Sequence, residues 1–339
     1  MNSAHIYKRD YTAQRGVGVS SHTAPRGRFA PSPSGRMHLG NVLSCLVAWL
    51  GARSTGGSIV MRVEDLDERS SKRALAELLM DDLTWLGLDW DEGPFWQSER
   101  TSSYQHALDQ LSGLGLTYPC FCTRGQLHAA QAPHSSDGSF VYQGTCKHLS
   151  AQEIELRAQT RNPALRLCVP APDSERDTIS FDDLVYGKHA ESLARECGDF
   201  LIRRSDGVFA YQLAVVVDDA AMGVTQVVRG RDLLGSTARQ IYLQELLGIS
   251  RPAYAHVPLL VAPDGRRLSK RDRDLDLGVL RERFGSPEPI IGKLAQVLGL
   301  IEDVEPVSAA ELLGQFSWDC LREHRGDIVV GSDFLDRLD

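Results

Sequence analysis

Apolar positions along the chain fall into two rhythms, one of helices and one of buried strands. From about residue 40, Leu43, Leu46, Val47 and Leu50 recur at i, i+3, i+4 and i+7, one apolar face of a helix, and Thr55-Gly56-Gly57 stops it. Before it, Arg28-Phe29-Ala30 reads as a short buried strand. The loop Pro31-Ser32-Pro33-Ser34-Gly35 follows, where two prolines forbid helix and a glycine allows a sharp turn. After it, 58–63 is a second strand, closing in Glu64-Asp65-Leu66-Asp67. Strand, loop, helix, strand is the repeating unit of a parallel, doubly wound sheet, so the pattern predicts an α/β protein.

A second amphipathic helix is predicted over 71–86, with Leu75, Leu78, Leu79, Leu83 and Leu86 inward, and a third over 101–114. From 118 to 149 the chain changes character. It gathers cysteines, histidines and a polar tract at 132–138, and reads as an insertion with a loop. Strand-like pieces follow at 165–169, 179–181 and 200–204. The apolar run 213–217 ends in Asp218-Asp219, and 224–228 is a buried strand running into Arg229-Gly230-Arg231-Asp232. A helix over 236–247 completes another strand–helix unit, and beyond Lys270 the pattern is helical. The expected organisation is a disordered extension over 1–26 and a sheet domain in two halves, 27–117 and 196–275. Between them lies an insertion, 118–195, and after them a small helical bundle, 276–339.

Composition adds exclusions. The chain has 339 residues, 42% hydrophobic and 24% charged, which is ordinary for a globular protein and unlike a disordered or collagenous one. A net charge of −8 argues against a sequence-blind nucleic-acid coat, whose affinity needs bulk cation density. It leaves room for a local basic strip, and Arg266, Arg267, Lys270, Arg271 and Arg273 form one. Seven scattered cysteines are odd in number and do not read as a disulfide framework. No run approaches the roughly 20 apolar residues of a membrane helix, and the N-terminus has no apolar core of a secretory signal. A cytoplasmic protein with no membrane partner is expected, as a monomer.

The string Arg28 to Asn41, RFAPSPSGRMHLGN, carries the first chemistry. A helix N-terminus offers unpaired N–H groups and the positive end of a dipole. Gly40 lets a phosphate approach, and His38 can donate to one of its oxygens. The string resembles the "HIGH" signature of class I aminoacyl-tRNA synthetases in its glutamyl form, P-S-P-[ST]-G-x-[LM]-H-[IL]-G, with Asn41 at the second histidine. Arg267-Leu268-Ser269-Lys270-Arg271 resembles the second, "KMSKS" signature, and Lys270 matches the lysine that steadies the ATP phosphates. Val63-Glu64-Asp65-Leu66-Asp67 resembles the family's R-[IV]-E-D-[TIL]-D segment, and 209–219 and 223–230 resemble its glutamate-site strands. The resemblance covers about 27–275 and implies a Rossmann-like fold with ATP, its Mg2+, and L-glutamate as ligands.

It also implies roles. His38, Asn41 and Lys270 are the expected catalytic residues, and His38, Gly40, Asn41, Ser269 and Lys270 the ATP contacts. Glutamate has two carboxylates and one ammonium. Arg28 and Arg229 are forked donors for the former, Glu64 is a partner for the latter, Tyr211 adds a hydroxyl, and the backbone of Arg28, Phe29, Ala30, Pro31 and Ser32 contributes. Arg231 stands where the family usually has an acid and adds a positive charge near the site.

Cys120, Cys122 and Cys146 lie close together in sequence, and a structural zinc wants four ligands. Tyr142, His128, His134 and His148 are all in range for the fourth. The spacing C-x-C…Y-x3-C resembles that of a truncated paralogue of the glutamyl synthetases in which the tyrosine is the ligand. This implies Tyr142, with His148 as the reserve. Only residues 272–339 follow the second signature, too few for the large anticodon-binding region of a glutamyl-tRNA synthetase. The paralogue lacking that region transfers glutamate to queuosine at the first anticodon position of tRNA(Asp), the partner expected here. The alternatives are a shortened enzyme charging tRNA(Glu) at its 3′ end and a non-catalytic glutamate- or RNA-binding paralogue.

Overall fold

Unbroken apolar runs in this chain become strands buried on both faces, and amphipathic runs become the helices that cover them. The computed structural model describes residues 24–67, 72–123, 125–126, 141–266, 275–331 and 334–335. In chain order, β1 (Arg26–Phe29), α1 (Leu39–Arg53), β2 (Ser58–Val63), α2 (Arg73–Trp85), β3 (Glu92–Trp96) and α3 (Thr101–Gly113) form the first half. The three strands pair in parallel, Arg26 opposite Ser58 and Phe29 opposite Met61, with a register irregularity between β2 and β3 at Val60 and Arg62. Of the extension expected over 1–26, residues 1–23 lie outside the described residues, and Arg26 already belongs to β1.

The next elements are β4 (Thr117–Cys120), α4 (Ala151–Ala158), β5 (Ala164–Leu167), β6 (Thr178–Asp183), β7 (Gly187–Ser192) and β8 (Phe200–Arg203). β4, β5 and β8 make an antiparallel three-stranded sheet that carries the cysteine segment. The β6–β7 hairpin, although within 118–195, joins the main sheet through β10 instead.

α5 (Tyr211–Ala221), β9 (Gln226–Gly230), α6 (Thr237–Leu247), β10 (Ala253–Val257) and β11 (Leu260–Val261) complete the second half, with β9 and β10 parallel and Arg229 opposite His256. Here one expectation is corrected. Residues 209–219, taken as a glutamate-site strand, form a helix from Tyr211 onward. The run is buried between α3 and α6, so it lacks the polar face that marks an amphipathic helix, and a short apolar run does not by itself distinguish strand from helix.

α7 (Leu277–Phe284), α8 (Glu288–Val297) and α9 (Trp318–Glu323) follow, and the chain returns as β12 (Ile328–Val329), parallel to β11. Leu280, Ile290, Ile291, Leu294 and Leu321 share one apolar core with Leu43, Leu46 and Leu50 of α1. The tail expected to be a helical bundle therefore packs on the main core and contains a strand. Among the described residues no helix is long and apolar enough to cross a membrane.

The two halves meet along β1 and β9. The Thr225 N–H donates to the Arg26 carbonyl at 2.9 Å, and the Arg26 N–H to Thr225 Oγ1 at 2.8 Å. Further along, the Arg28 guanidinium rather than a backbone N–H reaches the Val228 carbonyl, at 2.7 Å. The sheet is thus split where its strand order reverses, which is where doubly wound sheets bind their ligands.

Candidate active site

Over this split lies a cavity of about 710 Å³. Arg28, Phe29, Ala30, Pro31 and Ser32 line it from the end of β1, and His38, Gly40 and Asn41 from the start of α1. Glu64 comes from the end of β2, Tyr211 from the start of α5 and Arg229 from β9. Ser269 and Lys270 lie outside the described residues, as do Arg267, Arg271 and Arg273. The flank before them closes in a turn, and the flank after them meets the cavity lining. The Ala262 N–H donates to the Arg266 carbonyl at 2.8 Å, the Leu277 N–H donates to the Met37 carbonyl at 2.9 Å, and Asp276 bridges His38 in antiparallel fashion.

At one end of the cavity α1 begins, with His38, Gly40 and Asn41 in the lining. His38 has extended backbone and its N–H donates to Asn41 Oδ1 at 3.3 Å, which turns the amide NH2 away from the backbone. A Cβ on Gly40 would stand 3.3 Å from His38 Nδ1, so glycine leaves the imidazole room over the first helical turn. The proline loop is pinned from behind. Arg36 donates to the wholly buried Asp82 at 2.8 Å, and Arg281 of α7 reaches the same Oδ1 at 3.1 Å. The N-terminus of a fifteen-residue helix, left open by glycine, has the chemistry to receive an anion.

The other end is a network of buried charge. Arg62 is wholly buried; it donates to Asp219 Oδ1 at 2.6 Å and to Glu64 Oε1 at 3.1 Å. Arg28 Nε lies 3.7 Å from the same Asp219 oxygen. Asp218 accepts from Gln97 and Tyr104 at 2.8 Å each and from Arg100 at 2.6 Å. Burial pushes the Glu64 carboxyl up, against the pull of Arg62 and Arg28. The Pro31 carbonyl accepts the Glu64 N–H at 3.0 Å, so the proline loop also fixes the acid's position.

Arg229, itself buried, donates from Nε to His256 Nε2 at 3.0 Å, from Nη1 to Gln240 Oε1 at 2.7 Å and from Nη2 to Thr237 Oγ1 at 2.8 Å. Burial is the first cause that pushes His256 down to about 4, with Arg229 adding to it and Asp183 opposing, so the ring is neutral at pH 7. Sequence reading missed Arg62, Asp183, Asp219 and His256. The available signal was a polar residue inside an apolar strand run, Arg62 in β2 and His256 in β10, since such a residue needs a buried partner. Arg231 is an exposed surface residue ion-paired with Asp327, beside β12, which neutralises the extra charge expected near the site.

The cysteine cluster assembles from β4 and the loop after 141. The three Sγ atoms lie within 4.8 Å of one another, with Cys122 and Cys146 3.7 Å apart. Tyr142 Oη is 3.5 Å from both Cys120 Sγ and Cys122 Sγ. Zinc–sulfur bonds of about 2.3 Å in a tetrahedron put sulfurs roughly 3.8 Å apart; Cys122 and Cys146 stand at that spacing, and the three thiols could hold a metal ion with Tyr142 Oη beside them. His148 is exposed, and His128 and His134 lie outside the described residues. Burial raises the Cys120 thiol, but hydrogen bonding with Tyr142 and from Arg166 outweighs it and holds the thiol below its usual range. Burial and the three thiols push the Tyr142 phenol up, so a phenolate there requires the charge of the metal.

A split parallel sheet with an anion site at a helix N-terminus and a charged pocket beside it is the architecture of a class I synthetase catalytic domain. Residues 25–316 match the family described as tRNA synthetases class I (E and Q), catalytic domain, and the chain belongs to that family. It is accordingly a ligase of the aminoacyl-tRNA synthetase type. It is 46% identical over 323 residues to the glutamyl-Q tRNA(Asp) synthetase of Nitratidesulfovibrio vulgaris, covering 92% of this chain and 98% of the relative. It is 48% identical to the protein of that name from Symbiobacterium thermophilum, with the same coverage. Glutamate–tRNA ligase 2 of Alkalilimnicola ehrlichii is 40% identical, with 94% of this chain and 72% of the relative matched. The fold superposes with a TM-score of 0.74 on a glutamate tRNA ligase from Elizabethkingia meningosepticum in complex with its amino acid, at 26% identity, covering 93% of this chain and 69% of that one. The resemblance to the truncated paralogue is thereby borne out.

Proposed function

We propose that the protein activates L-glutamate with ATP and transfers the glutamyl group to queuosine at the first anticodon position of tRNA(Asp). One observation carries the activation step: a single cavity is lined by Arg28, Glu64, Tyr211 and Arg229 together with the α1 N-terminus that bears His38, Gly40 and Asn41. The choice of acceptor is supported by the relatives matched over 98% of their length, which are named glutamyl-Q tRNA(Asp) synthetases.

In this reading Arg28 and Arg229 hold the two carboxylates, Glu64 holds the ammonium, and Tyr211 donates its hydroxyl. His38, the N–H groups around Gly40, and Asn41 hold the triphosphate, and the Lys270 ammonium meets its charge as it develops. An α-carboxylate oxygen attacks the α-phosphorus and the bond to pyrophosphate breaks, leaving glutamyl-adenylate. A hydroxyl of the queuosine cyclopentenediol then attacks the glutamyl carbonyl; an ester forms, AMP leaves, and the hydroxyl proton passes to solvent. Catalysis is by positioning and charge stabilisation. Mg2+ carried in with ATP screens the phosphate charge. Cys120, Cys122, Cys146 and Tyr142 would hold a structural zinc that ties the loop after 141 to β4.

Glutamate-dependent ATP–pyrophosphate exchange without tRNA, followed by charging of queuosine-containing and queuosine-free tRNA(Asp), tests the proposal. Exchange without tRNA and transfer only to the modified tRNA are expected. The similarity to glutamate–tRNA ligase 2 favours one rival, and labelled glutamate on the 3′ end of tRNA(Glu) would establish it instead.

A further inference from the structure

We infer that His256, kept as its Nδ1–H tautomer by Asp183, is a positioning residue for the Arg229 guanidinium and so sets the affinity of the site for the acid group of its amino-acid substrate. The inference rests on the reading of Arg229 as a carboxylate clamp. Arg229, His256 and Asp183 stand on three neighbouring strands, β9, β10 and β6. Each direct partner of Arg229 is a neutral acceptor, and among the described residues no carboxylate lies within ion-pair distance of it. Three of its five N–H donors are used, leaving one on each terminal nitrogen for a ligand. The buried cation is therefore held without being neutralised.

Holding it requires an acceptor at Nε, and imidazole accepts only through its unprotonated nitrogen. Asp183 decides which nitrogen that is. Its Oδ2 is 2.6 Å from His256 Nδ1, and both side chains are wholly buried. Its Oδ1 accepts the Val185, Tyr186 and His256 N–H groups, at 3.0, 2.9 and 3.3 Å. The proton is thus on Nδ1, and Nε2 presents its lone pair to Arg229 Nε at 3.0 Å, with the Thr237 hydroxyl a longer 3.4 Å away.

Asp183→Asn is a directed perturbation of this arrangement. Three N–H groups keep the amide oxygen where Oδ1 is, so the amide NH2 points at His256 Nδ1. The ring must then carry its proton on Nε2, donor against donor toward Arg229. His256→Gln is the converse, because a glutamine Oε1 can accept from Arg229 without help from Asp183.

Glutamate-dependent ATP–pyrophosphate exchange by the full chain, with KM measured for each substrate, decides the matter. Asp183→Asn is expected to raise KM for glutamate about tenfold or more and KM for ATP less than about twofold, the size expected when a buried donor loses its acceptor. His256→Gln should raise KM for glutamate by less, and adding Asp183→Asn to it should change little further. A general loss of packing would move both KM values and would add on both backgrounds. Should Asp183→Asn fail to fold, His256→Leu against His256→Gln replaces it, and leucine should show the larger glutamate effect. An unchanged glutamate KM in Asp183→Asn, equal rises for both substrates, or equal effects of leucine and glutamine overturn the inference. A wild-type protein with no glutamate-dependent exchange instead overturns the clamp reading, and this inference with it.

Discussion

Replacing Arg62 by methionine removes one buried cation from a network that has several anions. In the native protein Arg62 is within 2.6 Å of Asp219, 3.1 Å of Glu64 and 3.9 Å of Asp218. Methionine follows the aliphatic stem but stops short of the guanidinium, so a small void adds to a cost that is mainly electrostatic. Among the described residues Asp219 then retains the more distant Arg28 alone, at 3.7 Å. Removing one partner of a buried pair costs about 3–5 kcal/mol, which in a chain of this size lowers Tm by about 4–7 °C. The deficit should also depend on pH. Burial already raises the Glu64 carboxyl and Arg62 restrains it, so the variant raises it further. A carboxyl whose folded pKa lies above its unfolded value loses stability as pH rises between the two, and below both values the penalty vanishes. The Tm gap between wild type and Arg62→Met should therefore be wider at pH 8 than at pH 5, by thermal melting at both. A gap under about 2 °C, or one that widens in acid, would refute this account of the pocket floor.

Three further outcomes are expected. Lys270→Ala should slow pre-steady-state adenylate formation strongly while glutamate binding, by calorimetry, changes little; formation at the wild-type rate would remove Lys270 from the chemistry. Native protein should carry about one zinc per chain by elemental analysis, and Cys120→Ser should lose it; a native protein purified without chelators and found free of metal would remove the site. Arg231→Glu sets two carboxylates against each other at Asp327. It should cost no more than about 1 kcal/mol, since the pair is exposed, yet speed amide exchange around β12. Unchanged exchange there would show that the pair does not hold the tail.

Local signals in this chain were strong where the chemistry is contiguous. The two prolines, the glycine and HLGN stand within one strand–loop–helix step, so the start of α1 could be read residue by residue. The cysteines came with spacing that brings three sulfurs and the Tyr142 oxygen together. The run 213–217 was less legible, because burial on all sides removes the periodicity on which sequence reading depends.

By itself, then, the sequence determined the family and most of the helix and strand segments, although not the helix that begins at Tyr211 or the strand in the tail. Tertiary structure alone decided how the charges are paired. Arg62 meets Asp219 across 157 positions of chain, Arg28 meets the Val228 carbonyl across 200, and Arg231 meets Asp327 across 96. Backbone propensity, capping and turn chemistry act over a few residues and are written locally. Buried ion pairs form only where strands from the two halves are packed side by side and water is excluded, and no local pattern records which arginine will face which acid.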